Sequence, residues 1–309
     1  MENEERPNGG AGRGDGPLPQ MEMGQGTVPV SRFVARASCV TAEIIALVAT
    51  PAVLIACAVA NLEQTAALSF FVVLASVAVF FASYEASRPR LRDIMPTVVL
   101  AALAAAGRIL FAPIPDFKPV SAIAIIAGVA FGRKSGFMVG ALAALASNFF
   151  FGQGPWTPWQ MYAWGLVGYG AGLLAMVPAP DGYGKAEDGA YAASAAKDCA
   201  FVTSKAGGAL RAVEAGSGFA PVKFIDAYPF LIYAYGFVAC LGYGFILNAW
   251  SILSFFHAQA SGIAGVVAVY AAALPFDVVH GVATVVFLVA LYAPWRRKLA
   301  RVRRKFGLG

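Results

Sequence analysis

Apolar residues along this chain fall into long blocks, with polar and charged residues collected between them. The blocks run Thr41 to Asn61, Ala66 to Ser83, Asp93 to Phe111, Val120 to Phe131, Ser135 to Phe151, Trp159 to Val177, Tyr228 to Leu253, Ser261 to Leu274 and Pro275 to Ala293. A bilayer-spanning helix needs roughly 17–25 mostly apolar residues, and most of these blocks reach that length. Val120 to Phe131 is short, but its neighbours oblige it to cross. Ser261 to Leu274 is shorter than a span and stops at Pro275, so it reads as a re-entrant or surface helix leading into the last span.

Charge placement tests that map, because cytoplasmic loops collect Lys and Arg. Arg32 and Arg36 precede the first block, Arg88, Arg90 and Arg92 follow the second, and Arg133 and Lys134 follow Phe131. Lys185, Lys197, Lys205, Arg211 and Lys223 lie in the long connection after Val177, and a basic run fills Trp295 to Lys305. The intervening connections hold no cation or only Lys118. Every Lys and Arg except Arg108 and Lys118 therefore falls on one side. Eight spans with both termini in the cytoplasm produce that alternation. A ninth span at Ser261 to Leu274 would throw the C-terminal basic run outside.

The expected fold class is an all-α polytopic membrane protein. Its expected parts are a disordered cytoplasmic tail over 1–40, a transmembrane hairpin over 41–92, a membrane domain over 93–293 and a basic tail over 294–309. A cytoplasmic insertion, 178–227, interrupts the membrane domain; a loop of that length is usually functional or disordered. Composition agrees, with 59% hydrophobic and only 13% charged residues, against roughly 25% charged in soluble proteins. The net charge of +6 sits at membrane edges and gives no nucleic-acid signal. The tail shows no apolar stretch at its start, so the first span is expected to serve as the insertion signal. Cys39, Cys57, Cys199 and Cys240 are scattered, with neither metal-ligand spacing nor a disulfide framework. No Walker A, GxSxG or HExxH sequence is present, which argues against ATP hydrolysis, a hydrolase elbow or a zinc site in this chain.

One connector departs from a cheap polar loop. Phe149 to Gln160 reads Phe-Phe-Phe-Gly-Gln-Gly-Pro-Trp-Thr-Pro-Trp-Gln. Pro155 and Pro158 stiffen it, and Gly152 and Gly154 let it turn. Trp156 and Trp159 each offer a flat apolar face and one N–H donor. The stretch suits a wall that grips a flat organic molecule; plain interfacial anchoring of the indoles is the alternative.

Other polar residues gather near the same expected outer surface. Arg108 lies about one turn inside the third block, where a cation is costly unless it is paired, faces a wet cavity, or snorkels to the headgroups. Its candidate partners are Asp116, Asp277 or a ligand anion. Asp277 and His280 are i, i+3 on the last span and share a face; they form either a helix-start cap after Pro275 or a ligand hook. Asn148 and Asn248 are interhelical glue or pocket residues. With Lys118, Gln153 and Gln160, these side chains predict an outward-facing pocket. On the third block, Ala101, Ala102, Ala105 and Ala106 form small-residue faces that fit either internal packing or an external helix.

Taken together, Ala101 to Arg108, Asp116-Phe117-Lys118-Pro119, Ala127 to Gly132 and Phe149 to Gln160 resemble the substrate-binding S components of energy-coupling factor (ECF) vitamin transporters. Phe149 to Gln160 is closest to the cobalamin-type members. The resemblance covers Asp93 to Ala293 and implies a six-helix core, to which the two N-terminal helices are an addition. It implies a membrane-embedded, non-enzymatic subunit of the bacterial plasma membrane that captures a vitamin, with cobalamin or a related corrinoid as the expected ligand. Its implied partners are a transmembrane T component and two ATPase subunits; it implies no cofactor. In the family the first core helix presents small residues to the T component, which maps onto Ala101 and Ala105, with Ala102 and Ala106 beside them. The outer loops Ala112 to Lys118, Gly152 to Pro158 and Ser251 to Gly262 would close the pocket. Trp156 and Trp159 would pack on the ligand, Gln153, Gln160 and Asn148 would meet its amides, and Arg108 and Lys118 its anionic groups. Competing readings are an S component for another vitamin or a modified nucleobase, an intramembrane enzyme with Asp277 and His280 as its acid–base pair, and a membrane scaffold.

Overall fold

The computed structural model describes residues 43–53, 65–87, 91–177, 230–256 and 258–306, with the single positions 56, 89 and 228. All described residues belong to one compact unit, within Cys39–Gly309. The expected tail over 1–40, the insertion over 178–227, Cys39, Cys57, Cys199 and His257 lie outside the described residues.

Among the described residues every regular element is a helix. They are α1 (Glu43–Val53), α2 (Thr65–Ala86), α3 (Leu91–Leu110), α4 (Val120–Phe131), α5 (Arg133–Phe151), α6 (Thr157–Leu174), α7 (Phe230–Ser251) and α8 (Ala258–Phe306). A π-helical turn, Ile252–Phe256, extends α7. Among the described residues four stretches are long and apolar enough to cross a bilayer: Ala67–Ala86, Arg133–Phe151, Phe230–Ser254 and Gly262–Trp295. Glu43–Val53, Ile94–Leu110 and Val120–Phe131 are shorter apolar helices. Large apolar side chains such as Phe71, Val98, Phe245 and Val289 are exposed on the outer faces. Water disfavours such a surface and acyl chains accept it. The molecule is an all-α, multi-pass membrane protein.

The expected break at Pro275 is not there. Two helical stretches meet at a kink at Gly262 (φ 58°, ψ −170°) within α8, and beyond that kink the helix runs through Pro275 to Phe306. Pro275 lies inside it, its missing N–H absorbed as in other membrane helices that contain proline. The separate surface helix expected over Ser261 to Leu274 is therefore the first part of α8.

Close packing at the centre comes from small residues. α5 and α6 approach so nearly that a Cβ on Gly168 would sit 2.2 Å from the Gly136 carbonyl oxygen, and one on Gly136 would sit 2.3 Å from that of Gly168. Lipid tails are as apolar as leucine, so van der Waals contact between backbones is a main source of helix association here. α4 is buried along nearly its whole length, Val120 through Val129. A helix apolar all round belongs in that position.

A buried carboxylate fixes the N-terminal helices to this centre. Glu43 on α1 is fully buried. Arg133 Nε donates to its Oε2 at 3.0 Å, Lys134 Nζ lies 3.3 Å from Oε1, and Tyr169 Oη donates to Oε2 at 2.8 Å. Ser83 on α2 also donates to it. One side chain thus gathers α1, α2, α5 and α6. Nearby, the hydroxyls of Thr50 on α1 and Ser76 on α2 pair with each other.

The alanine face of α3 divides. Ala101 and Ala105 are buried with Ala104 inside the bundle, whereas Ala102 and Ala106 are exposed beside Val98, Val99 and Leu103. A partner helix can reach only the second pair. The helical period places 101 and 105 on the inward side, where they let α3 pack closely.

Candidate functional site

A cavity of about 320 Å³ opens between α3, the connection after it, α6, α7 and α8. Arg108 from α3, Asp116 and Lys118 from the connection, and Gln160 and Trp164 from α6 form one side. Tyr243, Leu247 and Asn248 from α7 and Phe276, Asp277 and His280 from α8 form the other.

Arg108 is only 7% exposed, so it does not snorkel to the headgroups. It donates to Ser147 Oγ and Asn148 Oδ1, each at 2.6 Å. Its guanidinium carbon lies 4.8 Å from the ring centres of both Phe151 and Trp164. Asn148 is fully buried and stands behind the cavity wall. Its Nδ2 donates to Gln160 Oε1 at 2.8 Å and to Thr157 Oγ1 at 3.0 Å. One amide therefore orients two side chains of the wall, Arg108 through its oxygen and Gln160 through its nitrogen. Thr157 Oγ1 in turn donates to Gln153 Oε1 at 2.9 Å, and Gln153 Nε2 donates to the Leu145 carbonyl at 3.1 Å. Gln153 is exposed and braces the turn rather than lining the cavity.

The two tryptophans expected to grip the ligand are elsewhere. Trp159 is 1% exposed and belongs to the hydrophobic core. Trp156 packs edge-on against Trp250, ring centres 6.2 Å apart. Neither lines the cavity. The reason is helical phase: α6 begins at Thr157, so Gln160 and Trp164, four apart, share the cavity face, while Trp159 is turned about 100° away. The stiff connector turns at Gly152 (φ 100°) and sets where that face points.

Trp164 and Tyr243 supply the flat surfaces. Their rings stack at 4.7 Å with 28° between planes. Trp164 Nε1 donates to Ser121 Oγ at 3.2 Å, and Ser121 Oγ pairs with His280 Nε2 at 2.9 Å. His280 is 5% exposed and meets Tyr243 edge-on at 5.0 Å. Asp277 accepts from Asn248 Nδ2 at 3.3 Å. Its carboxylate lies against Gly244, where a Cβ would fall 1.9 Å from Oδ1. Asp277 and His280 share the wall but bond to different partners, so the structure does not join them as an acid–base couple. Beside them, burial lowers the pKa of the Lys118 ammonium; the Asp116 carboxylate opposes that shift and the Arg108 charge adds to it.

The structure thus collects Arg108, Lys118, Gln160, Asn248, Asp277 and His280 around one hollow, with Asn148 and Gln153 behind it. Trp164, Tyr243 and Ser121 were not singled out from the sequence. An aromatic inside an apolar helix has no local mark; the one available signal was the four-residue spacing of Trp164 from Gln160.

Residues 90–179, which include α3 to α6, match the family model described as ECF-type riboflavin transporter, S component. No curated protein and no solved structure matches the chain. The cavity joins that matched segment to α7 and α8, which lie beyond it. The matched residues are under a third of the chain, and the likeness is to S components of ECF transporters, a family of transporter subunits and not of enzymes.

Proposed function

We propose that this protein is the substrate-capture subunit of an ECF-type vitamin importer. It would bind its vitamin in the cavity between α3, α6, α7 and α8 and deliver it with a T component and two ATPase subunits. The observation that carries this reading is the hollow itself: stacked aromatics at Trp164 and Tyr243, with Arg108, Gln160, Asn248, Asp277 and His280 converging around them. A few placed polar groups in an otherwise apolar concavity is the usual form of a small-molecule site.

Cavity size bears on the ligand. About 320 Å³ is at the low end of the roughly 300–1,000 Å³ common for such sites. A corrin macrocycle needs more room, and the segment 90–179 resembles a family named for riboflavin. Both considerations favour a compact, flat vitamin or modified nucleobase over cobalamin. The exposed face of α3, with Val98, Val99, Ala102, Leu103 and Ala106, is the surface we assign to the T component. We place both termini in the cytoplasm, following the distribution of Lys and Arg.

The test is purification of the tagged chain from membranes of cells that also express candidate T and ATPase subunits, combined with vitamin uptake by a host unable to make the vitamin. Capture of the ATPases and restored uptake is the expected result. A chain that comes down alone and restores no vitamin's uptake would overturn the assignment.

A further inference from the structure

We infer that the molecule held in this cavity carries an anionic group, a carboxylate or a phosphate, that docks on the guanidinium of Arg108. The inference rests on the capture reading and adds a chemical class to it.

Arg108 is a cation removed from water, and among the described residues it has no counterion. It is 7% exposed and lines the cavity. Its two hydrogen bonds go to neutral oxygens, Ser147 Oγ and Asn148 Oδ1. Its Nε is buried and makes no hydrogen bond. Among the described residues no carboxylate lies within ion-pair distance of it; the ion pairs there are those of Glu43 with Arg133 and Lys134. Two carboxylates do share the wall. Asp277 is engaged by the Asn248 amide, and Asp116 acts on Lys118.

A buried, uncompensated charge costs several kcal/mol even after relaxation, and ionisable groups within membrane segments mark ligand paths by default. The faces of Phe151 and Trp164 offset part of that cost. They leave the Nε–H without an acceptor, while Nη1 is committed to Ser147 and Asn148. A planar fork of donors fits the paired oxygens of a carboxylate or phosphate. Asn148 and Ser147 hold the fork in one orientation before the ligand arrives, which limits the ordering cost of binding.

The experiment is mass-spectrometric identification of the small molecule that travels with the full-length chain purified from cells grown in rich medium. Arg108→Gln and Arg108→Lys are purified in parallel, with size-exclusion profile and melting temperature as folding controls. The expected compound is soluble and bears a carboxylate or phosphate. Arg108→Gln should weaken its binding about 10- to 150-fold, the worth of one hydrogen bond to a charged group, and Arg108→Lys should weaken it less. A neutral compound on the wild type overturns the inference and leaves the capture reading standing. So does an anionic compound that a folded Arg108→Gln retains unchanged. Retention of an anionic phospholipid through Arg108 overturns it in favour of a lipid headgroup. Wild-type protein that carries nothing overturns the capture reading itself. If Arg108→Gln does not fold, the charge of the wild-type compound and the Arg108→Lys affinity still decide.

Discussion

Replacing Glu43 should detach the N-terminal helices from the rest of the bundle. Glu43→Gln keeps the shape and removes the charge. It abolishes the ion pairs with Arg133 at 3.0 Å and Lys134 at 3.3 Å. A hydrogen bond to a charged group is worth about 1.5–3 kcal/mol. The Arg133 and Lys134 side chains are 17% and 23% exposed, so both recover some hydration when the carboxylate goes. We expect a net loss of about 2 kcal/mol. Glu43→Ala goes further, because it also strips the acceptor from the buried Tyr169 and Ser83 hydroxyls. An orphaned buried hydroxyl costs about 1–3 kcal/mol, which brings the expected loss to about 4 kcal/mol. Thermal unfolding in detergent should show the order wild type, Gln, Ala, with the Gln variant lower by about 4–8 °C. Hairpin detachment has its own readout. Thr50 on α1 is 2% exposed and pairs with Ser76 on α2, so a Thr50→Cys thiol should react slowly with a maleimide and much faster when Glu43→Ala is added. Equal stability of the Ala and Gln variants, or unchanged labelling, would refute the argument that this carboxylate holds α1 in place.

Trp164→Ala should lower ligand affinity about tenfold, because it frees Tyr243 and Arg108, both of which pack on its ring, while Trp156→Ala should change it little; equilibrium dialysis with the retained compound compares them. Asn148→Leu should weaken binding without touching the ligand, because it releases both Arg108 and Gln160, and it should leave buried donors unpaired at a stability cost of about 1–3 kcal/mol. Gly168→Val should prevent α5 and α6 from closing, given the 2.2 Å approach at that position, and the variant should elute as aggregate in size-exclusion chromatography. Saturating ligand at about 100 times its Kd should stabilise the wild type by about 2.7 kcal/mol, and a thermal shift assay should find that gain reduced in Trp164→Ala.

What the chain determined by itself was its solvent. Blocks of apolar residues bounded by Arg and Lys decide that helices cross a bilayer, because unpaired backbone groups and bare charges are too costly there. The cations out of pattern, Arg108 and Lys118, were visible for the same reason, and so were Asp277 and His280. The continuity of α8 through Pro275 was not legible, since a proline marks a helix end in water more firmly than in lipid. Nor was the identity of the aromatic wall. Trp156, Trp159 and Trp164 are chemically alike, and only the start of α6 at Thr157, packed against α4, α5 and α7, turns one of them to the cavity and the others away. Ala101 and Ala102 differ in the same manner, one facing in and one facing out. Tertiary packing fixes helical phase, and in a sequence where nearly every residue is apolar no amphipathic stripe announces that phase beforehand.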